Sequence, residues 1–131
     1  MPSDAAMPPQ ILLVDDDSDI AEGIRLRLTA AGYHCSLAED GDSGLNLATA
    51  EPPQVILLDV RLPKGNGIAV LHELKRRPET MNIPVIVVSA SLLEQQNALD
   101  AGARFFLSKP YNGTLLVTSI QYALDESSSG Q

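Results

Sequence analysis

The sequence contains only one cysteine and few basic residues, which argues against disulfide-bonded and nucleic-acid-binding proteins. Its single cysteine, Cys35, excludes an intramolecular disulfide and indicates a reducing compartment. We expect Cys35 to be a small buried side chain. Basic residues are also few, with 9 Lys and Arg against 17 Asp and Glu, so the net charge is −8 at pH 7. Because phosphate backbones are bound by Lys and Arg, this balance argues against direct nucleic-acid binding and favours a cation or a basic partner surface.

Long apolar runs are missing too. No stretch approaches the ~18 apolar residues that a membrane helix needs. No charged N-terminal region is followed by an apolar one, as a secretory signal requires. We therefore expect a cytoplasmic protein without membrane association. With 44% hydrophobic and 20% charged residues over 131 positions, the composition is that of an ordinary globular domain with its own core.

Five short apolar runs alternate with five segments of helical spacing. This order predicts an α/β fold in which a parallel sheet carries helices on both faces. The predicted strands cover residues 11–14, 33–38, 54–58, 83–88 and 104–107, and the predicted helices begin near residues 18, 41, 68, 92 and 112 to 114. We expect a disordered leader over residues 1–9, one folded domain over 10–126 and a flexible tail over 127–131.

One stretch stands at the centre of this pattern. Residues 55–58 are continuously apolar and run directly into Asp59, and a loop containing Pro63, Gly65 and Gly67 follows. In an open parallel sheet, ligands bind just beyond the carboxyl ends of the strands. Asp59 is therefore expected at a strand tip that faces a crevice. Taken alone, an aspartate at such a position can equally begin a turn or cap a helix.

Other predicted strands also end in polar residues. The first is followed by Asp15, Asp16 and Asp17, the fourth by Ser89 and the fifth by Lys109 within a short distance. Carboxylates that are brought together repel each other unless a cation lies among them, and such oxygen ligands favour Mg²⁺. A carboxylate, a divalent cation, a lysine and a hydroxyl together suit phosphoryl transfer. Asp17 is more simply explained as a helix cap.

With these motifs the chain resembles a response-regulator receiver domain of two-component signalling, of the chemotaxis-regulator type, over about residues 10 to 126. The matching motifs are the acidic pair Asp15 and Asp16, the D-x-x-x-P-x-x-x-G pattern of Asp59, Pro63 and Gly67, the hydroxyl and small residue Ser89 and Ala90, and the pair Lys109 and Pro110. The resemblance implies a flavodoxin-like (βα)5 fold, with a doubly wound parallel five-stranded sheet of order 2-1-3-4-5.

The resemblance also implies a chemistry. Asp59 would accept a phosphoryl group from a sensor histidine kinase or a phosphotransfer protein, with Ser89 and Lys109 assisting. The chain would then be a signalling receiver and not an enzyme, apart from Mg²⁺-dependent self-phosphorylation and autodephosphorylation. The implied ligands of Mg²⁺, or of Mn²⁺ in its place, are Asp16, Asp59, the backbone carbonyl of Arg61, and Asp15 through water.

A switch is implied as well. Ser89 would move to the phosphoryl group and an aromatic side chain, here Phe106, would rotate inward behind it. The face formed by the fourth helix, fifth strand and fifth helix would then change its protein partners. From its residue type alone, Phe106 is equally well a plain core aromatic. The family further implies a cis peptide between Lys109 and Pro110.

Arg61 is an unusual feature of the sequence beside Asp59. A long cation two residues past the phosphoacceptor could pair with a site carboxylate or with the phosphoryl group, so we expect altered rates of autophosphorylation and autodephosphorylation. We expect no effector domain beside the predicted receiver, because only a short polar leader and a short polar tail flank it. A stand-alone receiver and a piece of a larger regulator both remain open.

Three other functions are weighed against this one. A docking module that no longer takes phosphate is disfavoured, because all five site residues of the family are present. A small aspartyl-phosphate phosphatase would require a second acid at position 61, where Arg61 stands, and usually a cap domain. A flavin-binding protein of the same topology would require a phosphate loop after the first strand, where three acids would repel phosphate.

Overall fold

The computed structural model describes residues 7–62, 65–109 and 113–129 of the chain. The strands of its main sheet are β1 Gln10–Val14, β2 His34–Ala38, β3 Val55–Asp59, β4 Val85–Ser89 and β5 Phe105–Ser108. The helices are α1 Ser18–Ala30, α2 Gly41–Ala50, α3 Gly67–Arg76, α4 Gln95–Asp100 and α5 Gly113–Ser129. A 3₁₀ turn, Leu92–Glu94, precedes α4, and Arg61–Leu62 pairs antiparallel with Gly65–Asn66 between β3 and α3.

The main sheet confirms the predicted topology. Its five strands lie in the order β2-β1-β3-β4-β5, and every neighbouring pair is parallel. The strand β3 lies at the centre and all of its residues are buried. The strand β2, in which polar and apolar residues are mixed, lies at an edge of the sheet.

Two apolar cores explain why the inner strands are continuously hydrophobic. Along β3, Ile56 and Leu58 pack with α2, α3 and α4, whereas Val55 and Leu57 pack on the other face with α1 and α5. A strand that is covered on both faces needs apolar residues at every position, because alternate side chains point to opposite sides. The continuous apolar runs in the sequence therefore indicate strands that are buried on both faces.

The helix ends agree with the sequence in part. Gly32 and Gly102 follow α1 and α4 with φ of 97° and 110°, the left-handed conformation that favours glycine. The helix predicted to begin near residue 92 starts later, because residues Leu92–Glu94 form a 3₁₀ turn and α4 begins only at Gln95. Within the part of the chain that the structure describes, no helix has the length and apolar character to cross a bilayer.

The predicted domain ends need one correction. Helix α5 continues to Ser129, past residue 126 where the tail was predicted to begin. The guanidinium of Arg104, just before β5, pairs with the Glu126 carboxylate and so holds the end of this helix against the sheet. At the other end the carbonyl of Pro9 accepts the N–H of His34 at 2.9 Å. Residues 1–6, Pro63, Lys64, residues 110–112 and residues 130–131 lie outside the described residues.

Candidate functional site

The acidic residues after β1 and at the end of β3 meet at one edge of the sheet. These two strands pair in parallel, with Val14 opposite Leu58, so their carboxyl ends are adjacent. Oxygen atoms of the Asp15, Asp16 and Asp59 carboxylates all lie within 4.8 Å of one another. Asp15 and Asp59 are buried and Asp16 is exposed. The structure thus brings the predicted acidic cluster together and leaves one side of it open.

Burial governs the electrostatics of Asp15. It raises the pKa of the Asp15 carboxyl, because a charged carboxylate loses its hydration there. Two groups oppose this effect by stabilising the anion. The N–H of Asp17 donates to Asp15 Oδ1 at 2.9 Å, and the ammonium of Lys109 lies 3.9 Å from Asp15 Oδ2.

Asp59 is held at both of its carboxylate oxygens. Lys109 Nζ donates to Asp59 Oδ2 at 2.9 Å, and the backbone N–H of Arg61 donates to Asp59 Oδ1 at 3.0 Å. The backbone of Lys109 is also held in place, since its backbone N–H donates to the backbone carbonyl of Ser89 at 2.7 Å. A carboxylate has about four acceptor directions, so Asp59 keeps lone pairs free for an electrophile or a cation.

Gly67 fixes the loop that follows Asp59. A Cβ at this position would lie 2.2 Å from the carbonyl oxygen of Asp59 and 2.8 Å from Cα of Val60, so no side chain fits without backbone movement. The N–H of Gly67 also donates to the carbonyl of Val60 at 2.6 Å. Sequence reasoning identified Gly67 as part of a motif but could not show this contact, because it depends on how the loop returns to the strand.

Ser89 ends β4 beside β3, where Asp59 is the register partner of Val88. Its side chain is 1% exposed, and Ser89 Oγ accepts the N–H of Ser91 at 3.1 Å. The hydroxyl hydrogen of Ser89 has no acceptor among the residues that the structure describes. A buried hydroxyl that still has a hydrogen to donate is suited to an anion placed next to Asp59.

The donor set fits a hard divalent cation. Three carboxylates within 4.8 Å repel one another, and their oxygens are the ligands that Mg²⁺ and Mn²⁺ accept. Asp15, Asp16 and Asp59 are therefore the residues that could hold the ion. The contribution of the Arg61 carbonyl stays a prediction.

The remaining predicted residues have different outcomes. Asp17 caps α1, since its carboxylate accepts the N–H of Ile20 at 3.1 Å, which confirms the cap interpretation. Phe106 is half-buried and packs against the core formed with α2, α3 and α4. The predicted cis peptide involves Pro110, which lies outside the described residues. Arg61 has an exposed side chain.

Sequence reasoning missed Ser91. Its side chain caps the 3₁₀ turn before α4 while its N–H binds Ser89 Oγ. The local signal was a serine two residues after Ser89 and directly before two leucines, which is a common arrangement at the start of a helical turn.

Comparison with known protein families gives a match over most of the chain. A family model described as the response regulator receiver domain matches residues 11–121. The response regulator MprA of Mycolicibacterium vanbaalenii is 37% identical over 105 residues, which are 80% of this chain and 46% of that protein. The DNA-binding dual master transcriptional regulator RpaA of a Synechocystis strain is 37% identical over 106 residues, 79% of this chain and 44% of that protein. The chain spans less than half the length of these curated relatives.

Solved structures agree in fold. A receiver domain protein (CheY-like) from Methanospirillum hungatei superposes with a TM-score of 0.87 at 31% identity, covering 95% of this chain and 99% of that one. The chemotaxis protein CheY4 of Vibrio cholerae gives a TM-score of 0.83 at 28% identity, covering 91% of this chain and 100% of that one.

Proposed function

Because the chain belongs to the response-regulator receiver family of two-component signalling, we propose that it accepts a phosphoryl group on Asp59 and thereby switches a protein-binding surface. A sensor histidine kinase or a phosphotransfer protein is the proposed donor. The observation that carries the proposal is the environment of Asp59. Lys109 Nζ lies 2.9 Å from its Oδ2, and the Asp15 and Asp16 carboxylates lie within 4.8 Å.

The proposed step is a displacement at phosphorus. A carboxylate oxygen of Asp59 attacks the phosphorus of a phosphohistidine and forms a P–O bond as the P–N bond breaks. The electron pair of the broken bond stays on the imidazole nitrogen. Because the other ring nitrogen of the phosphohistidine carries a proton during the transfer, the donor leaves as a neutral histidine, and the product is an acyl phosphate on Asp59. Lys109 neutralises charge on the phosphoryl oxygens, and the hydroxyl of Ser89 donates to one of them.

A divalent cation belongs to this proposal. Mg²⁺, with Mn²⁺ as the alternative, would be held by Asp16 and Asp59, by the backbone carbonyl of Arg61, and by Asp15 through water. When bound, the ion supplies positive charge against the phosphoryl oxygens. Lys109 adds a second positive charge at the site, since its ammonium pairs with both buried carboxylates of the cluster.

The output of the receiver is proposed to be a protein contact. After transfer, Ser89 turns toward the phosphoryl group and Phe106, now half-buried, rotates inward. The face of α4, β5 and α5 then binds a downstream protein in the cytoplasm, without direct contact with nucleic acid or membrane. The net charge of −8 supports a basic partner surface.

The alternatives fit the site less well. Three neighbouring acids would repel the phosphate of a flavin, and exposed Arg61 stands where a metabolite phosphatase would need its second acid. A docking module without phosphoryl transfer has no need for a lysine held 2.9 Å from a buried aspartate. The receiver is therefore the function that the geometry supports best.

The test is phosphoryl uptake from a small donor. The native chain, Asp59→Asn and the control Asp42→Asn would be incubated with acetyl phosphate, with and without Mg²⁺, and their intact masses measured. Asp42 is exposed and lies outside the cluster, so the control carries the same substitution away from the site. We expect one added phosphoryl group in the native chain and the control, only with Mg²⁺, and none in Asp59→Asn.

Two results would contradict the proposal. The first is an equal added mass in Asp59→Asn, which would place the phosphoryl group elsewhere. The second is no added mass in the native chain together with no binding of beryllofluoride, a phosphoryl mimic, which would leave a receiver fold used only for docking.

A further inference from the structure

The loop after Asp59 contains an asparagine directly before a glycine, and we propose that Asn66 is a modification site at which slow deamidation lengthens this loop. Such a pair is prone to the reaction, because glycine has no side chain to hinder attack by its own nitrogen. Only two of the five asparagines of the chain, Asn66 and Asn112, precede a glycine. Asn112 lies outside the described residues.

The reaction needs only water. The backbone nitrogen of Gly67 attacks Cγ of the Asn66 carboxamide, so a new C–N bond forms while the bond from Cγ to the amide nitrogen breaks. The proton of the Gly67 N–H goes to the leaving nitrogen, which departs as ammonia, and a cyclic imide remains. Water then opens the ring at either carbonyl. One product is aspartate, and the other is isoaspartate, in which the main chain runs through the former side chain and is one carbon longer.

Two hydrogen bonds restrain the reacting groups in the folded chain. The N–H of Gly67 donates to the carbonyl of Val60 at 2.6 Å. The carboxamide oxygen of Asn66 accepts the N–H of Ile68 at 2.6 Å and so caps α3. Both bonds must open before the nitrogen can attack. Because Asn66 is exposed and belongs to a strand of two residues, this opening is local and leaves the core folded.

The isoaspartyl product does not fit the loop. Gly67 is buried so closely against β3 that a Cβ there would lie 2.2 Å from the Asp59 carbonyl oxygen. One more carbon before Gly67 must therefore displace the antiparallel pair of Arg61–Leu62 with Gly65–Asn66. The N–H that holds Asp59 Oδ1 at 3.0 Å belongs to Arg61, within that pair. We expect the isoaspartyl chain to take up less phosphoryl group on Asp59, a consequence that rests on the proposed function.

The aspartyl product is expected to keep the loop intact. Aspartate caps a helix as well as asparagine does, and its charge is favourable at the N-terminal end of α3. The main chain also keeps its length. The variant Asn66→Asp is therefore the matched control, since it carries the new charge without the extra carbon.

Peptide mapping tests the reaction itself. The native chain would be aged at mildly alkaline pH, folded and in urea, with deamidation followed by mass and isoaspartate detected by enzymatic methylation of its carboxylate. Asn66 should convert in urea, and at least about tenfold more slowly in the folded chain, because two hydrogen bonds must open first. Asn46, which is exposed and precedes Leu47, should convert in urea much more slowly than Asn66.

Phosphoryl uptake tests the consequence. An Asn112→Ser background removes the other pair of asparagine and glycine. Chains aged in urea would be refolded, and the isoaspartyl form separated by chromatography. This form, the unaged parent and Asn66→Asp in the same background would be incubated with acetyl phosphate and Mg²⁺, and their intact masses measured. We expect uptake to fall about tenfold in the isoaspartyl form, since small displacements of reacting groups are costly, and to be unchanged in Asn66→Asp.

The outcomes separate this inference from the proposed function. No conversion at Asn66 in urea, or equal rates in the folded and unfolded chains, would overturn the restrained modification site. Full uptake by the isoaspartyl form, or an equal loss in Asn66→Asp, would overturn the role of the extra carbon. So would global unfolding of the isoaspartyl form, detected by circular dichroism. No uptake by the unaged native chain would contradict the proposed function and leave the deamidation result standing.

Discussion

At the scale of single residues, the geometry around Asp59 depends on Gly67. Its position leaves no room for a Cβ, which would lie 2.2 Å from the Asp59 carbonyl oxygen. We expect Gly67→Ala to lower the free energy of unfolding by about 2 kcal/mol or more, because backbone must shift to relieve the clash. Urea denaturation would measure this change.

Gly23 in α1 supplies the matched control. Nothing lies within 4 Å of a Cβ added there, so Gly23→Ala should raise the free energy of unfolding by about 0.5–1 kcal/mol through its better helix propensity. If the two Gly→Ala variants changed stability in the same direction, the close contact at Gly67 would not be the reason for a glycine there.

Arg61 is the residue expected to set the lifetime of the phosphoryl group. Its N–H holds Asp59 Oδ1, and its exposed side chain carries a charge that can pair with the modified aspartate. We expect Arg61→Asn to keep the N–H and to make loss of the phosphoryl group about two- to fivefold faster, the range of a partly exposed ion pair. The decay of added mass after removal of the donor measures this rate. Unchanged kinetics would remove the side chain of Arg61 from the mechanism.

Cys35 provides a prediction about pH. Burial raises the pKa of the Cys35 thiol to about 11 from its ordinary value of 9.0, which disfavours the reactive thiolate. At pH 8 the native thiol should react with a disulfide reagent about 100-fold more slowly than in the urea-unfolded chain, and its rate should rise about tenfold per pH unit up to pH 10. A native rate equal to the unfolded rate at pH 8 would contradict the burial.

Stability should depend on pH through the same group. The folded thiol keeps its proton to higher pH than the unfolded thiol, so its contribution to stability is present below about pH 9 and is lost as the pH rises toward 11. Cys35→Ala should lack this part of the decline in the free energy of unfolding.

At the scale of helices and strands, the sequence predicts the centre of each element better than its ends. The strands β1, β3 and β4 were predictable because burial on both faces demands apolar residues at every position. Asp15, Asp59 and Ser89 were predicted as site residues because each one ends or directly follows one of these strands. The start of α4 and the end of α5 were not predictable, because they depend on Ser91 and on the Arg104–Glu126 pair.

Arg104 and Glu126 join the start of β5 to the last turns of α5. Because both side chains are about half exposed, the pair is expected to affect local order more than global stability. Glu126→Gln should make amide hydrogen exchange in the last turns of α5 about two- to fivefold faster. Glu79→Gln, at an exposed loop position, is the control. If amide hydrogen exchange in the last turns of α5 were equal in the two variants, the Arg104–Glu126 pair would not explain the length of this helix.

At the scale of the whole molecule, the acidic cluster lies in a chain of net charge −8. A cation that binds only the folded state should stabilise it by RT ln(1 + [Mg²⁺]/Kd), or about 1.4 kcal/mol at tenfold and about 2.7 kcal/mol at a hundredfold excess over Kd. We expect Mg²⁺ to raise the thermal midpoint of the native chain and a chelator to reverse the rise.

Asp59→Asn and a sodium control make this prediction specific. The variant removes one of the three carboxylates, so Mg²⁺ should stabilise it much less. Sodium chloride at the same ionic strength should not reproduce the effect on the native chain. An equal response to Mg²⁺ and to sodium would indicate general screening of charge and not a bound ion.

The order of the site residues along the chain also bears on synthesis. Asp15 and Asp16 follow β1 and Asp59 ends β3, two strands that pair directly, whereas Lys109 follows 50 residues after Asp59. Because synthesis runs from the N-terminal end, the three aspartates are translated before Lys109. During that interval the lysine is not yet present to oppose the repulsion between Asp15 and Asp59. Because domains generally fold as units, we expect the sheet to bring the two carboxylates together only when Lys109 or a cation can oppose that repulsion.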